Sequence, residues 1–219
     1  MIKIEHTEIP YNCWEPTIRG MRNPMNSWGK SDTNYKVMKI HYLCDDTQSV
    51  GTPDIGEDDL KLMMRLAKGG SVHAKYRRMI TVFVDITAPL YWWKEFDTYK
   101  VGTVANSCST MHKIHSKPFV LDDFSHDKLL PGAKETLCHL IDQLNFWRSE
   151  FLDSNNKVYW EQMIQLLPTS YNQKRTILLN YEVLVGMFRD RKSHKLDEWH
   201  VLCDWIRELP YSEIITVSQ

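Results

Sequence analysis

The chain has 219 residues, 42% hydrophobic and 25% charged, with 27 lysines and arginines against 28 aspartates and glutamates. That size suits one domain, or one domain with a helical insertion, with material for a substantial core, and the composition is neither disordered nor collagen-like. The near balance of charge excludes a global field toward nucleic acid or an anionic membrane, so any nucleotide contact must be local.

At the N-terminus, Ile2 and Ile4 alternate with polar neighbours and predict an opening strand. No basic segment followed by an apolar core stands there, and no apolar run reaches the roughly 18 residues that span a bilayer, so a cytoplasmic protein is expected. Ser31 to Asp54 is polar and turn-rich and reads as a loop with a strand near Val37 to Leu43. From Glu57 an acidic first turn precedes Leu60, Met63, Met64 and Ala67 at helical spacing, and Gly69-Gly70 supplies the stop.

Met79 to Thr87 is β-rich and short enough for a strand, after which Thr87 is expected to cap a helix whose second position takes Pro89. Trp92, Phe96 and Tyr99 then share one helix face. Pro118 to Lys134 has turn signals and no clear period, whereas Leu137, Ile141, Leu144, Trp147 or Arg148, and Phe151 predict a long amphipathic helix. Val158 to Leu167 continues helically until Pro168 breaks it. Thr176 to Leu179 reads as a strand, followed by helices over Tyr181 to Arg189 and Leu196 to Leu209. The balance is helix-dominated α+β.

The five cysteines, Cys13, Cys44, Cys108, Cys138 and Cys203, are odd in number and widely spaced, as expected of reduced thiols. Neither the Gly-x-Gly-x-x-Gly fingerprint nor the P-loop pattern is present, which disfavours the common dinucleotide and triphosphate cradles. A Gly-x-Ser-x-Gly elbow is absent too, so nucleophilic hydrolysis has little support. Cys108, His112 and His115, with His126 as a fourth ligand, would be a metal site only on a shared helix face, and their spacing matches no standard zinc pattern, so no metal is expected.

A more specific pattern joins separated segments. Ala88-Pro89 begins a stretch running to Thr98-Tyr99-Lys100, Cys108 follows after seven residues, and Leu167-Pro168, Asn180 and Arg191 come much later. In order and spacing this resembles the flavin-dependent thymidylate synthases, the ThyX family. That family's Arg-His-Arg, seven residues, Ser falls on Thr98-Tyr99-Lys100 and Cys108, so the spacing survives with every signature residue replaced. The family's Gly-His-Glu-(Ser/Thr) histidine falls on His73, with Ala74 and Lys75 after it. Its Asn-x-Arg-Ser-Leu and closing arginine fall on Asn180-Tyr181-Glu182-Val183-Leu184 and Arg191.

The resemblance implies a single ThyX-like domain over 1–219, clearest across 60–116 and 159–213, with a small sheet packed against long helices. It implies flavin adenine dinucleotide (FAD), with methylenetetrahydrofolate and NADPH as co-substrates, reductive methylation of deoxyuridylate (dUMP) or a related pyrimidine nucleotide, and a homotetramer. His73, Tyr99, Lys100 and Asn180 take the flavin positions; Glu95, Asn106, Cys108 and Arg191 take the substrate positions. Three family phosphate-binding arginines are here Thr98, Thr110 and Ile164, and each charged hydrogen bond is worth about 1.5 to 3 kcal/mol, so phosphate binding falls to Lys94, Lys100, Lys113 or Arg191. That loss keeps open an alternative, a non-catalytic paralogue that binds a nucleotide or a protein partner. Taken singly, Asn180 also suits a cap at a strand–helix junction, Arg191 a helix C-terminus, and Tyr99 and Trp92 a core.

Overall fold

A computed structural model of the chain describes residues 2–35, 38–41, 47–50 and 52–217. The strands among them are β1 (Lys3–Glu8), β2 (Met38–His41), β3 (Thr47–Val50), β4 (Thr81–Pro89), β5 (Val104–Ser107) and β6 (Asn172–Asn180). The helices are α1 (Trp14–Arg22), α2 (Glu57–Lys68), α3 (Leu90–Phe96), α4 (Pro131–Ser154), α5 (Lys157–Leu166), α6 (Tyr181–Arg191), α7 (Asp197–Glu208) and α8 (Glu213–Thr216). Four strands form one sheet in the order β1-β4-β6-β5, and β2 pairs antiparallel with β3 as a separate hairpin. This is the helix-rich α+β architecture expected.

In β4, Val82, Val84, Ile86 and Ala88 are buried in alternation with more exposed residues, the period of a strand with one covered face. The Tyr181 amide donates to the Ile80 carbonyl at one end of β4 and the Leu90 amide to the Tyr171 carbonyl at the other, so β4 and β6 run antiparallel. By contact density the residues group into two compact units, with the division falling inside these two strands.

The first unit holds Asp85–Thr98 and Ala105–Thr176, hence α3, α4 and α5. Its core is Ile114, Phe119, Phe124, Leu137, Ile141, Leu144 and Met163, with Trp147 stacked on Tyr159 at 5.8 Å where α4 meets α5. Trp92, Trp93 and Phe96 form a second aromatic cluster on α3, and the Trp93 indole N–H donates to the Gln173 carbonyl at 2.9 Å.

The second unit comprises Ile4–Val84, Tyr99–Val104 and the chain from Ile177, hence α1, α2, α6, α7 and α8. Trp14 is fully buried and meets the rings of Tyr181 and Tyr211 edge-on at 6.1 and 5.6 Å. The Tyr181 hydroxyl donates to the Pro210 carbonyl at 2.6 Å, giving the buried phenol its partner. In the same unit Arg22 of α1 donates to Asp59 of α2 at 2.6 Å, and both are buried.

Two expectations differ from what is found. Thr87 remains in β4, and Pro89 itself is the N-cap of α3, held extended at φ −68°, ψ 151°. Because α3 ends at Phe96, Tyr99 shares no helix face with Trp92 and Phe96. The strand expected over 37–43 is found as β2, with residues 37, 42 and 43 outside the described residues; β3, β5, α1 and α8 were not anticipated.

Candidate functional site

In the second unit, three turns of α6 separate Asn180 from Arg191. The Asn180 side-chain oxygen accepts from the Val183 amide at 3.1 Å, satisfying one of the free N–H groups at the helix start. Arg191 closes the last turn, where a cation also complements the helix dipole. Its Nε donates to the Tyr99 hydroxyl at 2.9 Å, and its guanidinium lies 4.4 Å from the Trp199 ring centre and 5.4 Å from that of Tyr99. Burial pushes the Tyr99 phenol above its ordinary pKa, while Arg191 beside it pulls the other way.

The turn after Tyr99 sits close to the start of α6. Gly102 has φ +80°, and a Cβ there would lie 3.0 Å from Val183 Cγ2 and 3.2 Å from Asn180 Nδ2. Only glycine fits both the left-handed backbone and that approach. Tyr99, Arg191 and Asn180 are thus the sequence-predicted residues gathered around α6. His73 and Lys100 are exposed in the same unit, and neither side chain has a hydrogen-bond or ion-pair partner among the described residues.

Glu182, where the resemblance would place an arginine, lies in the first turn of α6. Its partner is Arg77, fully buried and 3.6 Å away. Sequence reasoning did not single out Arg77, since nothing local marks a buried arginine.

In the first unit, Glu95 is half-buried on α3, Asn106 is exposed on β5, and Cys108 is exposed just after β5. Cys108 is tied to β6 by its backbone: its amide donates to the Lys174 carbonyl at 2.9 Å, and its carbonyl accepts from Gln173 Nε2 at 2.7 Å. It lines a cavity of about 560 Å³ with Lys113, Lys117, Phe119, Tyr171 and Lys174 among its other walls. Neither Glu95 nor Asn106 lines that cavity.

The charges of this cavity are largely matched. Lys117 pairs with Asp123 at 2.5 Å and Lys174 with Asp85 at 3.0 Å, whereas the Lys113 side chain has no such partner among the described residues. Burial, and secondarily Asp123, push the Tyr171 phenol above its ordinary pKa, opposed by Lys117. Ile114, Pro118, Phe119 and Tyr171 give the cavity an apolar floor, and most of its other walls are polar or charged, Asp122 among them.

Cys108, His112 and His115 follow β5 in an irregular segment rather than on one helix face. Among the described residues no group of three or more His, Cys, Asp or Glu side chains is placed to hold a metal ion. Nor is any described helix long and apolar enough to cross a membrane.

The chain matches no known family profile and no curated protein sequence. Among solved structures it is similar to the flavin-dependent thymidylate synthase ThyX of Helicobacter pylori complexed with FAD and dUMP. The TM-score is 0.63 at 16% identity, over 97% of this chain and 95% of that one. A second structure of Helicobacter pylori ThyX with FAD and dUMP gives a TM-score of 0.62 at 16% identity, over 97% and 94% of the two chains. The chain therefore has the ThyX fold, in a divergent version.

Proposed function

We propose that this chain is a flavin-dependent thymidylate synthase-like protein that binds FAD and a pyrimidine deoxynucleotide, dUMP or a relative. The observation that carries the reading is the ThyX fold, in which His73 and Lys100 are each exposed with no side-chain hydrogen-bond or ion-pair partner among the described residues. A dinucleotide needs cationic or N–H donors for its diphosphate and polar edges for its rings. Lys100 and His73 offer such donors and Tyr99 and Asn180 offer polar groups, and these four would hold the flavin. When bound, the flavin supplies hydride and methylene-transfer chemistry, with methylenetetrahydrofolate and NADPH as co-substrates.

For the pyrimidine, Cys108 and the cavity it lines offer an apolar surface for the base and Lys113 for an anionic group. Glu95, Asn106 and Arg191 belong to the same substrate assignment. Residues 1–219 would then act as one ThyX-like domain, assembled as a homotetramer in the cytoplasm.

A second reading, a non-catalytic relative that keeps only binding, is favoured by two features. Arg191 is engaged with Tyr99 and Trp199, and Thr98, Thr110 and Ile164 stand where the family carries phosphate-binding arginines.

The deciding experiment loads the protein with excess FAD, removes the free cofactor, and measures flavin fluorescence after denaturation. Stoichiometric FAD is expected, and absence of retained flavin would overturn the proposal. With flavin bound, folate-dependent formation of thymidylate from dUMP separates enzyme from binding protein.

A further inference from the structure

A second cavity, of about 450 Å³, lies wholly within the second unit at α1, the turns after it and α2. Its polar lining is Arg22, Ser27, Lys30, Asp58, Lys61 and Arg65. Arg22 is only 4% exposed. Its Nε is held by Asp59 at 2.6 Å and its Nη1 donates to the Ser27 carbonyl at 3.3 Å, but its Nη2 is buried without a hydrogen-bond partner. The Ser27 hydroxyl is buried and unpartnered as well.

Two buried donors left unmatched at one cavity are unusual, because buried polar groups ordinarily find partners. The lining adds further cationic donors at its rim, Lys30 and Arg65. Lys61 is paired with Glu57 at 2.6 Å, and Arg22 with Asp59. Lys30 has no partner among the described residues, and Arg65 Nη2 reaches only the Met25 sulfur at 3.9 Å. With the two pairs set aside, Lys30 and Arg65 line the cavity with Asp58, and the Asp32 carboxylate lies beside it, accepting from the Asp58 amide at 2.9 Å.

We propose that this cavity binds the phosphate or diphosphate group of a small phosphorylated ligand, using Lys30 and Arg65 as its outer contacts and Arg22 Nη2 with Ser27 Oγ as its inner donors. A phosphoryl group suits this set because its several acceptor oxygens can engage a guanidinium fork, an ammonium and a hydroxyl at once. None of these residues is used by the flavin or pyrimidine assignments, so the two readings stand or fall separately.

The test is calorimetric titration of the full chain with inorganic phosphate, sodium pyrophosphate and ADP, against sodium chloride at matched ionic strength. Saturable binding of pyrophosphate is expected, weakened about tenfold or more in the Lys30→Gln/Arg65→Gln double variant. Both positions are exposed, so that variant should retain the circular dichroism and melting profile of the parent. ADP binding more tightly than pyrophosphate identifies a nucleotide as the source of the group; equal affinity identifies the diphosphate alone. Heats indistinguishable from the chloride control, or full affinity in the double variant, would overturn the proposal.

Discussion

Arg191 and Tyr99, 92 positions apart in sequence, are joined by a 2.9 Å hydrogen bond from the guanidinium Nε to the phenol oxygen. Trp199 completes the arrangement with its ring 4.4 Å from the same guanidinium. A cation stacked on an indole is fixed in plane as well as in position, because the ring face attracts it and the hydroxyl sets its rotation. Arg191 is therefore a structural member of the second unit as well as a proposed substrate contact.

Arg191→Lys keeps the charge but loses the plane and the Nε donor. Stability should fall by about 1 kcal/mol, read as a lower urea midpoint. Tyr99→Phe removes the acceptor of a charged hydrogen bond and should cost about 1.5 to 3 kcal/mol. The two effects share one contact, so the double variant should lose less than their sum by at least about 0.5 kcal/mol. Strict additivity would mean the pair is not formed in solution.

Asn180 caps α6, so Asn180→Ala should cost about 1 kcal/mol, whereas Asn180→Ser, itself a good cap, should cost little. The proposed flavin contact uses the amide, which serine lacks. The serine variant should thus keep its melting temperature and lose flavin affinity. Flavin retention equal to that of the parent would leave Asn180 a cap alone.

The elements that sequence made legible were those with sustained periodicity. Leu137, Ile141 and Leu144 mark α4, and the acidic start and Gly69-Gly70 stop bracket α2, because burial of one helix face leaves a local signature. α1 escaped notice because Pro16 and Gly20 interrupt a nine-residue segment. The register of Asn180 and Arg191 was legible because both lie on one helix, at its cap and in its last turn. What each side chain touches was not. Arg191 with Tyr99, Arg77 with Glu182 and Arg22 with Asp59 are long-range pairings, and side-chain pairing across the chain has no period to read.

Acid stability should depend on Asp32. Its carboxylate accepts from the Asp58 amide at 2.9 Å and the Asp59 amide at 3.1 Å at the start of α2, and these bonds, the Asp58 bond foremost, hold its pKa below the ordinary carboxylate value. A depressed folded-state pKa contributes stability that is present above the unfolded value, about 3.9, and is lost as pH falls through the folded one. Urea midpoints followed from about pH 6, above that unfolded value, down to about pH 2 should therefore decline less steeply for Asp32→Asn than for the parent. Parallel curves would show that other carboxylates govern the acid limb.

The charges around the Cys108 cavity bear on which pyrimidine it selects. With Lys117 and Lys174 already paired, a 5′-phosphate gains one cation unpaired among the described residues, Lys113, opposed by the Asp122 carboxylate on the same wall. One such contact is worth about 1 kcal/mol and is screened by salt, so dUMP should bind flavin-loaded protein no more than about tenfold more tightly than deoxyuridine. Lys113→Gln should remove most of that difference, and either ligand should slow alkylation of Cys108 without protecting the exposed Cys138. A preference for dUMP of about a hundredfold or more that survives Lys113→Gln, with Cys108 unprotected, would place the nucleotide outside this cavity and return the phosphate to other cations of the chain.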